Sequence, residues 1–240
     1  MKILSWNVNG IRAALGKGAA ASIIGIDPDI FCLQETKVVD EQFPFEPIED
    51  QGYECRVFGQ KTYNGVAILS KFPIEEALPR LPGDDEDDQA RYLEAVISAE
   101  SGPVRVASIY LPNGNPAPGP KYDYKLAWME RLRRHAQKLL AFEEPLILAG
   151  DYNCIPRDSD CWDPAVWADD ALALPETRAA FRALKWLGFT EAFEQVDGIG
   201  GNLADEVWMR CICTRVDDSN CNAFAGRASC VGRGCVDLLQ

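Results

Sequence analysis

The sequence predicts an α/β fold in one domain, and three observations carry that prediction. Short apolar runs, among them Ile30-Phe31-Cys32-Leu33, Val66-Ala67-Ile68-Leu69 and Leu146-Ile147-Leu148-Ala149, read as strands covered on both faces, because an amphipathic helix would need polar residues among them. Between such runs lie segments whose apolar residues recur at three and four, the spacing of a helix packed on a sheet. The chain has 240 residues, 47% of them hydrophobic, and folds built from two sheets run to roughly 200 to 250 residues as a single unit. Neither an internal repeat nor a linker is evident.

In order, Ile3-Leu4-Ser5-Trp6 predicts a first strand that runs into Asn7-Val8-Asn9-Gly10, and the Ala-rich stretch from Ile11 to Ile24 predicts a helix. Asp27-Pro28-Asp29 breaks it, and the strand Ile30 to Leu33 ends in Gln34-Glu35-Thr36-Lys37. From Val38 to Tyr63 the pattern is irregular, with an exposed strand over Tyr53 to Phe58, and Gly65 to Ser70 is again buried strand. The run Gly83-Asp84-Asp85-Glu86-Asp87-Asp88 predicts a solvated loop, since adjacent carboxylates repel one another. Arg91 to Ile97, a turn at Gly102, and Val104 to Ile109 read as a hairpin that ends at Tyr110.

Leu111 to Pro120 holds four prolines, two glycines and two asparagines, which predicts a shaped loop directly after that strand. From Tyr124, Met129, Leu132, Ala136, Leu139 and Leu140 mark an amphipathic helix, with Arg131, Arg134 and Lys138 opposite and His135, the one histidine, expected on the helix surface. The strand after Pro145 ends in Gly150-Asp151-Tyr152-Asn153, where Gly150 is expected to make a sharp turn that lifts Asp151 and Asn153 together. After a loop with Trp162 and Trp167, a helix starts at Pro175, faces Ala180, Phe181, Leu184 and Leu187 inward, and stops at Gly188.

Composition narrows the function. With 24 Lys and Arg against 37 Asp and Glu, the net charge of −13 argues against broad adhesion to polyanions, so contact with nucleic acid must be local or metal-assisted. The amino terminus has no signal-peptide core and no apolar run approaches a membrane span, so a cytoplasmic protein without membrane partners is expected. Nine cysteines, an odd number with no secretion signal, are read as reduced thiols.

Asn7, Glu35, Tyr110, Asp151 and Asn153 each stand just past an apolar strand, far apart in sequence. Carboxylates beside neutral amides are what a hard cation, or a water poised for deprotonation, needs. The stretches Leu4-Ser5-Trp6-Asn7-Val8-Asn9-Gly10-Ile11-Arg12-Ala13, Leu33 to Lys37, Gly65-Val66-Ala67-Ile68, Tyr110-Leu111-Pro112-Asn113-Gly114, Gly150 to Asn153 and Leu187 to Phe193 resemble, in order and separation, the exonuclease III family of apurinic/apyrimidinic endonucleases. The resemblance covers residues 1–195 and implies a four-layered α/β sandwich, two mixed sheets face to face with helices outside. It implies a phosphodiesterase dependent on one or two Mg²⁺ or Mn²⁺ ions that cuts double-stranded DNA 5′ to abasic sites and trims 3′ ends, acting as a monomer.

Carried over by position, the resemblance assigns the metal to Asn7, Glu35, Asp151 and Asn153, with Asn7 supporting Glu35. Tyr110 and Asn113 would contact the phosphate region, Asp151 would be the base toward water or a second metal ligand, and Asn153 would steady phosphate or metal. Phosphatases of inositol lipids and sphingomyelinases belong to the same superfamily and share the Asn, Glu and Asp-x-Asn elements. Asn-Gly-Ile-Arg-Ala and Gln-Glu-Thr-Lys favour the DNA-repair branch.

From Val196 the resemblance stops, and residues 196–240 read as a separate Cys-rich tail of shifted or foreign sequence that leaves the sandwich incomplete. The family's Tyr-Thr-Trp, Arg-Ile-Asp and closing Ser-Asp-His segments have no clear counterpart, Arg215-Val216-Asp217 being the best echo, so a catalytically impaired relative is the alternative function. Cys211, Cys213, Cys221, Cys230 and Cys235 show no Cys-x-x-Cys and no nearby histidine, so no zinc site is expected, and little strand is expected there.

Overall fold

The computed structural model describes residues 1–17, 25–161, 163–192, 209–213 and 235–237. Among the described residues, eleven strands form two mixed sheets. The first contains β1 (Lys2–Asn7), β2 (Ile30–Gln34), β3 (Glu54–Phe58), β4 (Val66–Ser70) and β11 (Cys235–Asp237), in the order β11-β1-β2-β4-β3. The second contains β5 (Ile74–Pro79), β6 (Tyr92–Ala99), β7 (Gly102–Tyr110), β8 (Leu146–Asp151), β9 (Thr190–Glu191) and β10 (Met209–Cys213), in the order β5-β6-β7-β8-β10-β9. The helices are α1 (Ile11–Gly16), the short α2 (Glu46–Glu49), α3 (Pro120–Leu140) and α4 (Pro175–Lys185).

The apolar runs are continuous because each central strand faces a core on both sides. In β2, Ile30 and Cys32 enter the core between the sheets with Ile3, Ile68, Val106 and Ile147. Phe31 and Leu33 enter an outer core with Ile11 and Ile48 from the helices. In β8, Ile147 and Ala149 face the inter-sheet core, and Leu146 and Leu148 pack under α3 and α4 with Trp128, Leu132 and Phe181. Three stacked cores make four layers, the α/β sandwich of two mixed sheets that the sequence led us to expect.

Inside the inter-sheet core runs a short polar seam. Gln34 Nε2 donates to Ser108 Oγ at 3.1 Å and Ser108 Oγ donates to the carbonyl of Leu33 at 2.9 Å, so β2 and β7, from different sheets, are locked in register one residue before Glu35 and two before Tyr110. A buried donor left unpaired by a slip of either strand would cost about 1–3 kcal/mol.

Several expectations need correction. Gly150 does not turn the chain: β8 continues through Asp151, and a Cβ at position 150 would lie 2.0 Å from the carbonyl oxygen of Ile109. Glycine is required because β7 and β8 approach too closely for a side chain. His135 is not a surface residue, its side chain being 11% exposed and its Nε2 2.7 Å from Glu94 Oε2. The acidic run is tied down, Asp84 and Asp87 both pairing with Arg131 of α3. Strand β5 has no forerunner in the sequence reading. The tail carries β10, parallel to both β8 and β9, and β11, antiparallel to β1, where little strand was expected. The first helix is described over Ile11–Gly16, and its expected extension over 18–24, with Trp162 and the Arg215 to Asp217 echo, lies outside the described residues. Cys32, Cys55, Cys154 and Cys161 are in no disulfide among the described residues.

Candidate active site

The strand ends converge. Parallel pairing of β1 with β2 brings Asn7 opposite Gln34, next to Glu35, and parallel pairing of β7 with β8 sets Tyr110 opposite Asp151. The two sheets then face these pairs toward one another. The Nδ2 of Asn7 donates to Glu35 Oε1 at 2.7 Å and to Asp151 Oδ2 at 2.9 Å, so one amide group holds a carboxylate from each sheet. The Tyr110 hydroxyl also hydrogen-bonds to Glu35. Asn153 follows through its backbone N–H, which donates to Asp151 Oδ1 at 2.9 Å, and Asn113 Nδ2 donates to Asn153 Oδ1 at 3.3 Å. All six residues singled out in the sequence form one hydrogen-bonded chain.

The backbone there is held in unusual conformations. Asn9, Glu35, Lys37 and Asn153 have φ of 48°, 52°, 56° and 42°. Asparagine tolerates the left-handed region, but for Glu and Lys it is strained by about 1–3 kcal/mol each, and such residues cluster at working sites. The strain is resisted by Gly10 N–H donating to the carbonyl of Glu35 at 2.7 Å and by Thr36 and Lys37 N–H donating to the carbonyls of Gly65 and Asn64.

Glu35 and Asp151 are buried, 5% and 2% exposed. Burial pushes the Glu35 carboxyl up, but hydrogen bonds from Asn7, Lys37 and Tyr110 outweigh it and hold the group below the usual carboxylate range. Burial and the neighbouring Glu35 and Asp151 charges push the Tyr110 phenol well up, so it is a proton donor at neutral pH. The Arg91 guanidinium lies 4.9 Å from the centre of the Tyr110 ring.

Two lysines went unremarked in the sequence. Lys37 pairs with Glu35 at 2.8 Å and also donates to Asn9. Lys125, in α3, is fully buried, its Nζ 3.0 Å from the carbonyl of Asn113 and 2.5 Å from that of Asn153. Burial pulls its pKa down to about 8, against the Cys154, Asp170 and Asp151 charges. One signal existed: Lys125 stands three residues after Tyr122 and four before Met129, in phase with the buried stripe of its helix.

The endonuclease/exonuclease/phosphatase family model matches residues 4–216. The chain belongs to that family. Exodeoxyribonuclease III of Haemophilus influenzae is 33% identical over 204 residues, covering 82% of this chain and 76% of that protein. A 3′-5′ exonuclease of Neisseria meningitidis superposes with a TM-score of 0.78 at 35% identity, over 84% of this chain and 77% of that one. An AP endonuclease from Archaeoglobus fulgidus gives 0.76 at 32% identity, over 81% and 74%. Within its family, the chain falls in the nuclease branch that these exonuclease III relatives define, a branch of hydrolases.

Proposed function

We propose that this chain is a DNA-repair phosphodiesterase of exonuclease III type, dependent on Mg²⁺ or Mn²⁺, that cleaves 5′ to abasic sites and trims 3′ ends of double-stranded DNA. The observation that carries the reading is the single Asn7 amide between the buried Glu35 and Asp151 carboxylates, with the Tyr110 hydroxyl beside them. The donor set fits a hard divalent ion: two carboxylates of like charge lie close enough to share one donor, and the amides around them offer oxygens. Among the described residues no three His, Cys, Asp or Glu side chains converge, so carboxylate and amide oxygens must suffice, with Asn7, Glu35, Asp151 and Asn153 as the residues that would hold one or two ions. When bound, the ion supplies charge against the oxygens of a phosphodiester under attack by water.

The chain's own residues do the rest. Glu35 stays ionised through neutral pH, Asn7 fixes both carboxylates, and Tyr110 donates its proton toward a phosphate oxygen. Asp151 accepts a proton from water or serves as a metal ligand, Asn153 steadies the phosphate, and Asn113 binds it. Residues 1–195 form the catalytic unit, 196–240 a tail of different origin, and the protein acts as a cytoplasmic monomer. With a net charge of −13, the metal is what lets it approach a polyanion.

The test is an oligonucleotide duplex with one tetrahydrofuran abasic analogue, run beside an undamaged duplex and an inositol phosphate, each with Mg²⁺ and with EDTA. Mg²⁺-dependent scission 5′ to the analogue supports the reading. Release of phosphate from the inositol substrate alone would move the chain to another branch of the family.

A further inference from the structure

Lys125 is an expensive residue. A buried ammonium is strongly disfavoured unless a partner compensates it, and among the described residues Lys125 makes no ion pair within 4.0 Å: it makes two hydrogen bonds, both to backbone carbonyls. Those carbonyls belong to Asn113 and Asn153, 40 residues apart, whose side chains meet at 3.3 Å. The loop is shaped around the lysine. Gly114 has φ of 90°, and a Cβ there would lie 2.6 Å from Lys125 Cδ and 3.2 Å from Ala171 Cβ. Beyond it, Asn115 Nδ2 donates to both oxygens of Asp170 at 3.0 Å, and the N–H of Ala171 donates back to Asn115 Oδ1. The loop after β7 is thus held from below by α3 and from the side by the 155–174 segment.

We propose that Lys125 is a positioning residue that sets the distance between Asn113 and Asn153 by binding both of their carbonyls, and so shapes the part of the site that receives a phosphate. It touches no substrate. A methionine would fill its volume but leave two buried carbonyls without a donor, freeing the two asparagines to separate. The claim that a phosphate is received there rests on the phosphodiesterase reading; the claim that Lys125 fixes the two asparagines does not.

Two measurements separate those claims. In protein free of DNA and metal, Lys125→Met should shift or broaden the side-chain amide resonances of Asn113 and Asn153 while those of Asn64, in the other sheet's loops, stay put. Lys125→Arg, which keeps charge and donors, should restore them in part. With Ca²⁺ and the tetrahydrofuran duplex, Lys125→Met should weaken binding about tenfold, and its effect should shrink to less than threefold in an Asn113→Ala background. If Lys125→Met fails to melt cooperatively, Gly114→Ala, which displaces the same stem, replaces it in both measurements. Unmoved Asn113 and Asn153 resonances would overturn the positioning claim. Purely additive losses in DNA affinity would overturn its link to the site. A wild-type chain that ignores the abasic duplex would instead defeat the phosphodiesterase reading and leave the resonances to decide the rest.

Discussion

At the scale of single residues, Asn7 donates one amide group to two carboxylates from opposite sheets, so removing either carboxylate changes the site without removing core. Glu35→Gln keeps the shape but loses the charge and exchanges one of the two acceptor oxygens, which take hydrogen bonds from Asn7 and Lys37, for a donor. Calorimetric titration with Mg²⁺ should show affinity reduced by at least tenfold with an unchanged melt, and equal affinity would take Glu35 out of the metal set. Asp151→Asn likewise keeps the shape and should abolish whatever cleavage of abasic DNA the chain performs, a loss of about 10²–10⁴ in rate for a positioned acid-base group. Wild-type cleavage in that variant would deny Asp151 both roles. Asn7, Glu35, Tyr110, Asp151 and Asn153 were legible because each ends an apolar run. Lys125 was not, because a lysine in phase with a buried stripe looks like a packing exception, and its partners are carbonyls that no side-chain pattern encodes.

Among elements, the tie between sheet and helix depends on Glu94, 3% exposed, on β6. It accepts from Tyr92 at 2.6 Å and from Arg105 of β7 at 2.7 Å, and its Oε2 lies 2.7 Å from His135 Nε2 of α3, while Arg105 reaches on to Glu144 at 3.0 Å. The sequence concealed this because helical periodicity shows which face of α3 is apolar, not what the sheet beneath presents; hence His135 was expected at the surface. Edge strand β5 was hidden for a related reason. Only Ile74 of it is buried, so neither alternation nor a continuous apolar run marks it. Burial raises the Glu94 pKa, and the hydrogen bonds from His135, Tyr92 and Arg105 outweigh that and bring it below the ordinary 4.5. The folded state therefore holds fewer protons than the unfolded one in acid, so the stability Glu94 confers is complete above about pH 4.5 and declines as pH falls through its folded value. Glu94→Gln should cost on the order of 3 kcal/mol at pH 7, measured by urea denaturation. Below pH 4.5 the variant's stability should fall less steeply than the wild type's; parallel curves would show that Glu94 does not contribute to acid sensitivity.

For the whole molecule, the four layers were legible because strands buried on both faces leave continuous apolar runs, and those runs are present through β8. Beyond it the pattern fails: β10, paired on both sides between β8 and β9, is Met209-Arg210-Cys211-Ile212-Cys213, with Arg210 in register with Leu148. In sequence, this segment lacks the continuous apolar run of β2, β4 and β8, with a charge and two small thiols among its five residues. A covered sandwich strand without large apolar residues forgoes about 2–5 kcal/mol at each large core position, against a total stability of about 5–15 kcal/mol. The one histidine of the 240 residues lies in α3 with its Nε2 2.7 Å from Glu94 Oε2 of β6, and the hydrogen-bonded chain around Glu35 and Asp151 contains no imidazole. We therefore predict that this chain is marginally stable and cleaves abasic DNA about 10² to 10⁴ times more slowly than a version whose residues from 196 onward carry a family-type segment. Thermal melts and Mg²⁺-dependent cleavage, measured on both proteins side by side, test it. If the melt is cooperative and cleavage comes within tenfold of the restored version, the prediction fails, and the backbone pairing of β10 and β11 with their neighbours is then enough to complete both sheets.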